Sequence, residues 1–180
     1  MVRIIVSGFL VFGWLFTGFA QKTPEKGPVI KNFGPVYKVD RIDFEVDTSQ
    51  VYKVVFDVDR TFDNQEKPNP LIETAVRFLN LHIQNGFKKE NLHVAIVIHC
   101  QASRDILSNK AYKEKFQLNN PNADLLTALH KAGIKIFLCG QTAAHQSIAK
   151  EDTLPEVQFA LSAMTALTEL QNNNYRLIKF

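Results

Sequence analysis

Short apolar runs along the chain alternate with segments in which apolar residues recur at helical spacing. The runs at 52–58, 92–99 and 134–139 are rich in β-branched residues, which indicates strands buried on both faces. Two further runs, at 157–161 and 175–180, predict a fourth and a fifth strand. Strands of this kind, separated by helices, predict an α/β fold with a mostly parallel sheet.

The segments between these runs predict amphipathic helices. The first is expected to begin at Asn69, an N-cap followed by Pro70, and to end before Gly86. The second is expected to begin at a cap formed by Ser103. Two more helical faces are predicted, one with Leu125, Leu126 and Leu129 that ends at Gly133 and one over 164–172.

The first twenty residues have a different pattern from the rest of the chain. Arg3 is followed by an apolar run, and Gly18 and Ala20 precede a polar segment, which is typical of a secretory signal peptide. An uncleaved anchor is the alternative, because a membrane-spanning helix needs only about 20 apolar residues. We expect an exported protein, periplasmic or secreted, without stable membrane insertion after cleavage. The expected organisation is a signal peptide at 1–20, a flexible lead-in or arm at 21–50 and one domain at 51–180.

Composition and charge exclude some classes of function. Hydrophobic residues make up 46% of the 180 residues and charged residues 22%, which suits a globular domain with a sizeable core. The formal net charge is only +3 and the basic residues are scattered, so we expect no nucleic-acid partner. The histidines and cysteines lack the spacing of a zinc site, and we expect neither a metal nor another cofactor.

Both cysteines of the chain stand where a predicted strand ends. Cys100 directly follows the second strand and Cys139 closes the third. In parallel sheets the loops at the carboxyl ends of the strands form the ligand sites. A helix that begins shortly after Gly140 would direct free amides at the sulfur of Cys139 and favour its thiolate. The alternative is a structural cysteine that packs as a small apolar side chain.

His99 and Cys100 admit several interpretations. His99 could exchange a proton with a sulfur-bearing ligand near neutral pH, or it could bind a loop carbonyl. Cys100 could be a resolving thiol, a disulfide partner of Cys139 or a packing residue. A disulfide is sterically feasible if the second and third strands are neighbours, because adjacent strands lie about 4.8 Å apart.

The segment 54–62 resembles the DxDxT signature of haloacid dehalogenase-type phosphatases. In that interpretation Asp57 attacks phosphate, Asp59 assists the leaving group and Thr61 completes the motif. Arg60 stands where those phosphatases usually have glycine, and no later strand ends in an acidic pair that would hold magnesium. The phosphatase is therefore the less favoured hypothesis.

Four segments together resemble the DsrE/DsrF-like family, particularly its exported members. They are 78–86, 94–103, 134–141 and 157–180. The resemblance implies a three-layer α/β/α sandwich with a five-stranded sheet, and assembly into homotrimers or hexamers. In sulfur-relay members the cysteine that ends the third strand carries a persulfide, and Cys139 matches that place.

The resemblance thus implies a sulfur carrier or sulfurtransferase in which Cys139 passes sulfane sulfur to an acceptor thiol. The residues expected to shape its pocket are His99, Gln101, Gly140 and Gln141. Relatives commonly have glycine after the histidine of the second strand, so Cys100 could resolve or trap a persulfide. A non-catalytic oligomeric module that binds a small ligand, with structural cysteines, is the alternative, and thiol–disulfide exchange is a third hypothesis.

Overall fold

A computed structural model describes residues 22–180, and the predicted signal peptide lies outside the described residues. In this range the strands are β1 (Tyr52–Val58), β2 (Leu92–Ile98), β3 (Lys135–Cys139), β4 (Val157–Ala160) and β5 (Arg176–Ile178). The α-helices are α1 (Pro70–Gln84), α2 (Asn109–Phe116), α3 (Ala123–Lys131), α4 (Gly140–His145) and α5 (Ala163–Asn172). None of the helices in residues 22–180 has the length and apolar character needed to cross a bilayer.

The five strands form one parallel sheet in the order β4-β3-β2-β1-β5. The expected α/β fold with a five-stranded parallel sheet is confirmed. Val58 of β1 aligns with Ile98 of β2, and Ile98 aligns with Leu138 of β3. Because these three strands end level with one another, the residues that follow them meet at one rim of the sheet.

The two faces of the sheet bury different sets of residues. Side chains alternate along a strand, so Val54, Phe56 and Val58 face the larger core, which α1 and α3 cover. The opposite face is covered by α5, and its buried residues are Val55, Ala95, Val97, Cys139, Ala163 and Leu170. Cys139 therefore points to the side of the sheet that α5 covers.

The predicted start of α1 is confirmed, whereas the predicted start of the second helix is wrong. The side chain of Asn69 accepts a hydrogen bond from the Leu71 amide at 2.9 Å. The residues Cys100–Ile106 form a 3₁₀ helix, in which the buried Ser103 donates its hydroxyl to the Cys100 carbonyl. The α-helix begins only at Asn109, because Ser108 supplies the cap and accepts from the Ala111 amide.

The segment 22–50 contains no helix or strand, only an isolated bridge between Glu25 and Val36. The fully buried side chain of Asn80, on α1, binds this segment at several backbone groups. The predicted domain boundaries stay a prediction.

Candidate functional site

Cys139 occupies the junction between β3 and α4. It is the last residue of β3 and the N-cap of α4, and its sulfur accepts a hydrogen bond from the Thr142 amide at 3.5 Å. Only 5% of the residue is exposed. The first residue of α5, Ala163, also directs its amide at this sulfur. The sulfur thus lies where the N-termini of two helices converge.

Burial and hydrogen bonding act in opposite directions on the Cys139 thiol. Burial raises its pKa, because the thiolate loses solvation. Hydrogen bonds from the amide and hydroxyl of Thr142, and from the amides of Ala163 and Gln141, lower it. The hydrogen bonds prevail, so the pKa of Cys139 lies below its usual value. This environment favours the nucleophilic form of the sulfur.

The Thr142 hydroxyl is one of the groups that lower this pKa, and Thr142→Val removes it while keeping the shape of the side chain. We expect the pKa of Cys139 to rise, because the thiolate loses a donor while the backbone amide remains. The pH at which thiolate ultraviolet absorbance appears measures this change, in a Cys100→Ser background that isolates Cys139. Thr74→Val, on the distant helix α1, is the control. An unchanged midpoint in Thr142→Val would contradict the assigned role of the hydroxyl.

A second thiol stands at the same rim, on the exposed residue Cys100. Its sulfur lies 3.1 Å from Nδ1 of His99, and Nε2 of His99 lies 2.7 Å from Oδ1 of Asp57. Lys179 donates to the other oxygen of Asp57 at 2.7 Å and binds Asp59 at 2.9 Å. These five residues form a connected cluster, which we call the His99 cluster.

The loops that carry the two thiols are linked by hydrogen bonds. The Cys100 amide donates to Oγ1 of Thr142 at 3.2 Å, and the side chain of Gln146 donates to the Cys100 carbonyl at 2.9 Å. Thr142 therefore binds the backbone beside one thiol and the sulfur of the other. In the structure both cysteines are free thiols, Cys100 exposed and Cys139 buried.

The other residues expected at the site lie around this rim. Gln101 and Gln141 are exposed beside the two cysteines. Gly140 lies so close to β4 that a Cβ atom would come 2.5 Å from the Ala160 carbonyl oxygen. The close approach of the two backbones explains why glycine stands there.

The residues of the DxDxT-like segment are engaged with other protein groups. Both carboxylate oxygens of Asp57 are bound, one by His99 and the other by Lys179. The Thr61 hydroxyl donates to Asp105 at 3.1 Å. An aspartate held in this way is placed to orient its histidine rather than to attack phosphate.

Sequence reasoning missed four contributions to the site: Thr142, Gln146, Lys179 and the contact of Asp57 with His99. Thr142 could have been identified from the sequence, because the amide three positions after an N-cap residue is free to donate to the side chain of the cap. Lys179 could not, because the position of β5 beside β1 is a property of the sheet order.

The comparisons with known proteins agree on the fold. A family model for the DsrE/DsrF-like family matches residues 53–180. The chain is similar to a solved protein of unknown function, MTH1491 from Methanobacterium thermoautotrophicum, with a TM-score of 0.55 and 14% identity over 72% of this chain and 99% of that chain. It is also similar to the ychN protein from E. coli, with a TM-score of 0.53 and 15% identity over 72% of this chain and 100% of that chain.

A search of curated proteins found no match. The likeness to the two solved structures, at such low identity, shows the fold alone. The family model covers far more than half of the sequence, from the second residue of β1 to the last residue. The chain therefore belongs to the DsrE/DsrF-like family.

Proposed function

We propose that this protein is an exported sulfur carrier that holds sulfane sulfur as a persulfide on Cys139. The observation that carries the proposal is the convergence of amides from α4 and α5 on one sulfur at the carboxyl edge of the sheet. Thiolate, not thiol, is the nucleophile in sulfur chemistry, and these amides stabilise it. Membership of the family, some of whose members relay sulfur, supports the same role.

The proposed transfer has two steps that balance without an external oxidant. The Cys139 thiolate attacks the outer sulfur of a donor persulfide, the sulfur–sulfur bond of the donor breaks, and the donor leaves as a thiolate. An acceptor thiolate then attacks the outer sulfur on Cys139, takes it and releases the Cys139 thiolate. The same amides that stabilise the thiolate stabilise it again as the leaving group.

The depth of Cys139 restricts which donors can reach it. Only 5% of the residue is exposed, so little of its surface is open to a donor. A donor must therefore present its sulfur at the end of a narrow group, as a small persulfide or an extended cysteine persulfide does. Gln101 and Gln141 are exposed beside the two cysteines, and we expect their side chains to hydrogen-bond such a donor. Export and homo-oligomeric assembly stay predictions from the sequence.

Incubation of the purified protein with glutathione persulfide tests the proposal. We expect intact-mass measurement to show a gain of one sulfur atom that reductant removes, and peptide mapping to place it on Cys139. Failure to gain sulfur at Cys139 would overturn the proposal. A quantitative bond between Cys100 and Cys139 under non-reducing conditions, resistant to mild reductant, would instead favour a ligand-binding module with structural cysteines.

A further inference from the structure

The His99 cluster has the three parts that an activated thiol requires, and the proposed function of Cys139 does not use it. The nucleophile is Cys100, whose sulfur lies 3.1 Å from Nδ1 of His99. The base is His99, which is 19% exposed, and the group that orients it is Asp57, which is 7% exposed. A nucleophile within hydrogen-bond distance of a base that a third group orients is the arrangement found in covalent catalysis.

The hydrogen bond to Asp57 determines which ring nitrogen of His99 is unprotonated, and this nitrogen faces the Cys100 thiol. A carboxylate only accepts hydrogen bonds, so Nε2 of His99 donates its proton to Oδ1 of Asp57. Neutral imidazole carries one proton, which leaves the lone pair of Nδ1 directed at Cys100. Lys179 holds the second oxygen of Asp57, and the pKa of Lys179 is raised by its hydrogen bonds to Asp57 and Asp59. The base is thus fixed in the tautomer that accepts a thiol proton.

The backbone at Cys100 presents the thiol to solvent. Its φ of +50° lies in the left-handed region, which is unfavourable for residues other than glycine. The Cys100 amide is bound to Oγ1 of Thr142, so it is not free to stabilise an oxyanion. In acyl transfer the backbone amide of the nucleophile often donates to the oxyanion, and this donor is missing here. Attack on a disulfide needs no such donor, because the negative charge develops on the leaving sulfur.

We propose that Cys100 is a second nucleophilic thiol of this protein, that His99 accepts its proton, and that its substrate is a small disulfide. The Cys100 sulfur attacks one sulfur of the disulfide while its proton moves to Nδ1 of His99. The sulfur–sulfur bond of the substrate breaks, and the departing thiolate takes the proton from His99. The products are a mixed disulfide on Cys100 and one free thiol, so electrons balance without another reactant. This reaction goes beyond the proposed function and does not require Cys139.

The test follows the reaction of dithiodipyridine, an uncharged disulfide that releases a thione with strong near-ultraviolet absorbance, with the Cys139→Ser protein, in which Cys100 is the remaining thiol. At neutral pH we expect folded protein to react about tenfold faster than the same chain unfolded in urea. His99→Gln should lose this advantage and move the half-maximal rate to higher pH. His93→Gln, near the start of β2 and far from the residue that follows its end, is the matched control and should react as the parent does.

The pH profile separates proton acceptance from a merely structural role. The charged and titratable groups around His99 are Asp57 on β1, Asp59 after it, Lys179 after β5 and Cys139 on the neighbouring strand, which is serine in the tested protein. In Asp57→Asn the amide can donate to Nε2 of His99, so that the ring proton moves to Nδ1 and faces Cys100. We therefore expect this variant also to react more slowly and to reach its half-maximal rate at a higher pH. Equal rates in folded and unfolded parent, or an unchanged rate and profile in a folded His99→Gln, would overturn the proposal.

Discussion

After the donor is removed, Cys139→Ser is expected to retain no reducible sulfur, whereas the wild-type protein retains one atom. Cys100 is exposed, and a persulfide formed there stays open to attack by the thiols that the donor releases. The sulfur of Cys139 belongs to a buried residue and accepts from the amides of α4 and α5, so we expect a persulfide there to be shielded from these thiols. Retention of sulfur should therefore depend on Cys139 alone.

The substitution is a clean test because serine preserves the local structure. The Cys139 side chain caps α4 by accepting from the Thr142 amide, and serine is among the preferred N-cap residues. We expect the free energy of unfolding to change by less than about 1 kcal/mol. Any loss of sulfur retention is then a property of the missing sulfur atom rather than of a damaged fold.

Cys100→Ser is the matched control for this result. It removes the other thiol from the same rim, and we expect it to retain sulfur on Cys139 as the wild-type protein does. The measurement is intact mass after gel filtration, before and after reduction. Equal retention by Cys139→Ser and wild-type protein would end the proposal that Cys139 is the carrier.

The sheet could be predicted from the sequence because its signals are local. The bounds of β1 at 52–58 and the cap of α1 at Asn69 were both predicted, since an apolar run and an Asn-Pro pair indicate structure without distant partners. Ser103 misled the prediction because a serine before apolar residues indicates a cap wherever it stands. Its actual partners, the Cys100 carbonyl and Gln146, come from the packing of two loops.

The candidate site was only half predictable for a related reason. Cys139 and His99 were identified because each ends a strand, and strand ends meet in a parallel sheet. The contact between His99 and Asp57 depends on the pairing of β1 with β2, and the contact with Lys179 depends on β5 lying beside β1. In the sequence Asp57 therefore suggested a phosphatase motif, and only the sheet order assigns it to His99.

The lead-in segment illustrates how much of the fold can depend on a single polar side chain. Asn80 is fully buried on α1, and its amide oxygen accepts from the backbone amides of Val29 and Ile30. Its amide nitrogen donates to the carbonyls of Ile30, Phe33 and Gly34. Gly27 packs against the same side chain so closely that any Cβ atom would overlap it. The helical periodicity of α1 does not identify the role of Asn80. An asparagine on an apolar face interrupts the hydrophobic pattern and gives no indication of its partners.

Asn80→Ala is expected to lower the free energy of unfolding by about 3 kcal/mol, since several buried backbone groups lose their partner at once. For a chain of this size the melting temperature should fall by about 10 °C. Thermal unfolding measures the effect, and hydrogen exchange at the amides of Val29 and Ile30 shows whether the segment detaches before the sheet unfolds. Asn85→Ala, at the exposed end of the same helix with one bond to the Leu81 carbonyl, is the control and should cost well under about 1 kcal/mol. Equal losses in the two variants would mean that water replaces Asn80 at these backbone groups, and that the segment is held by apolar contacts such as that of Ile30 with the core.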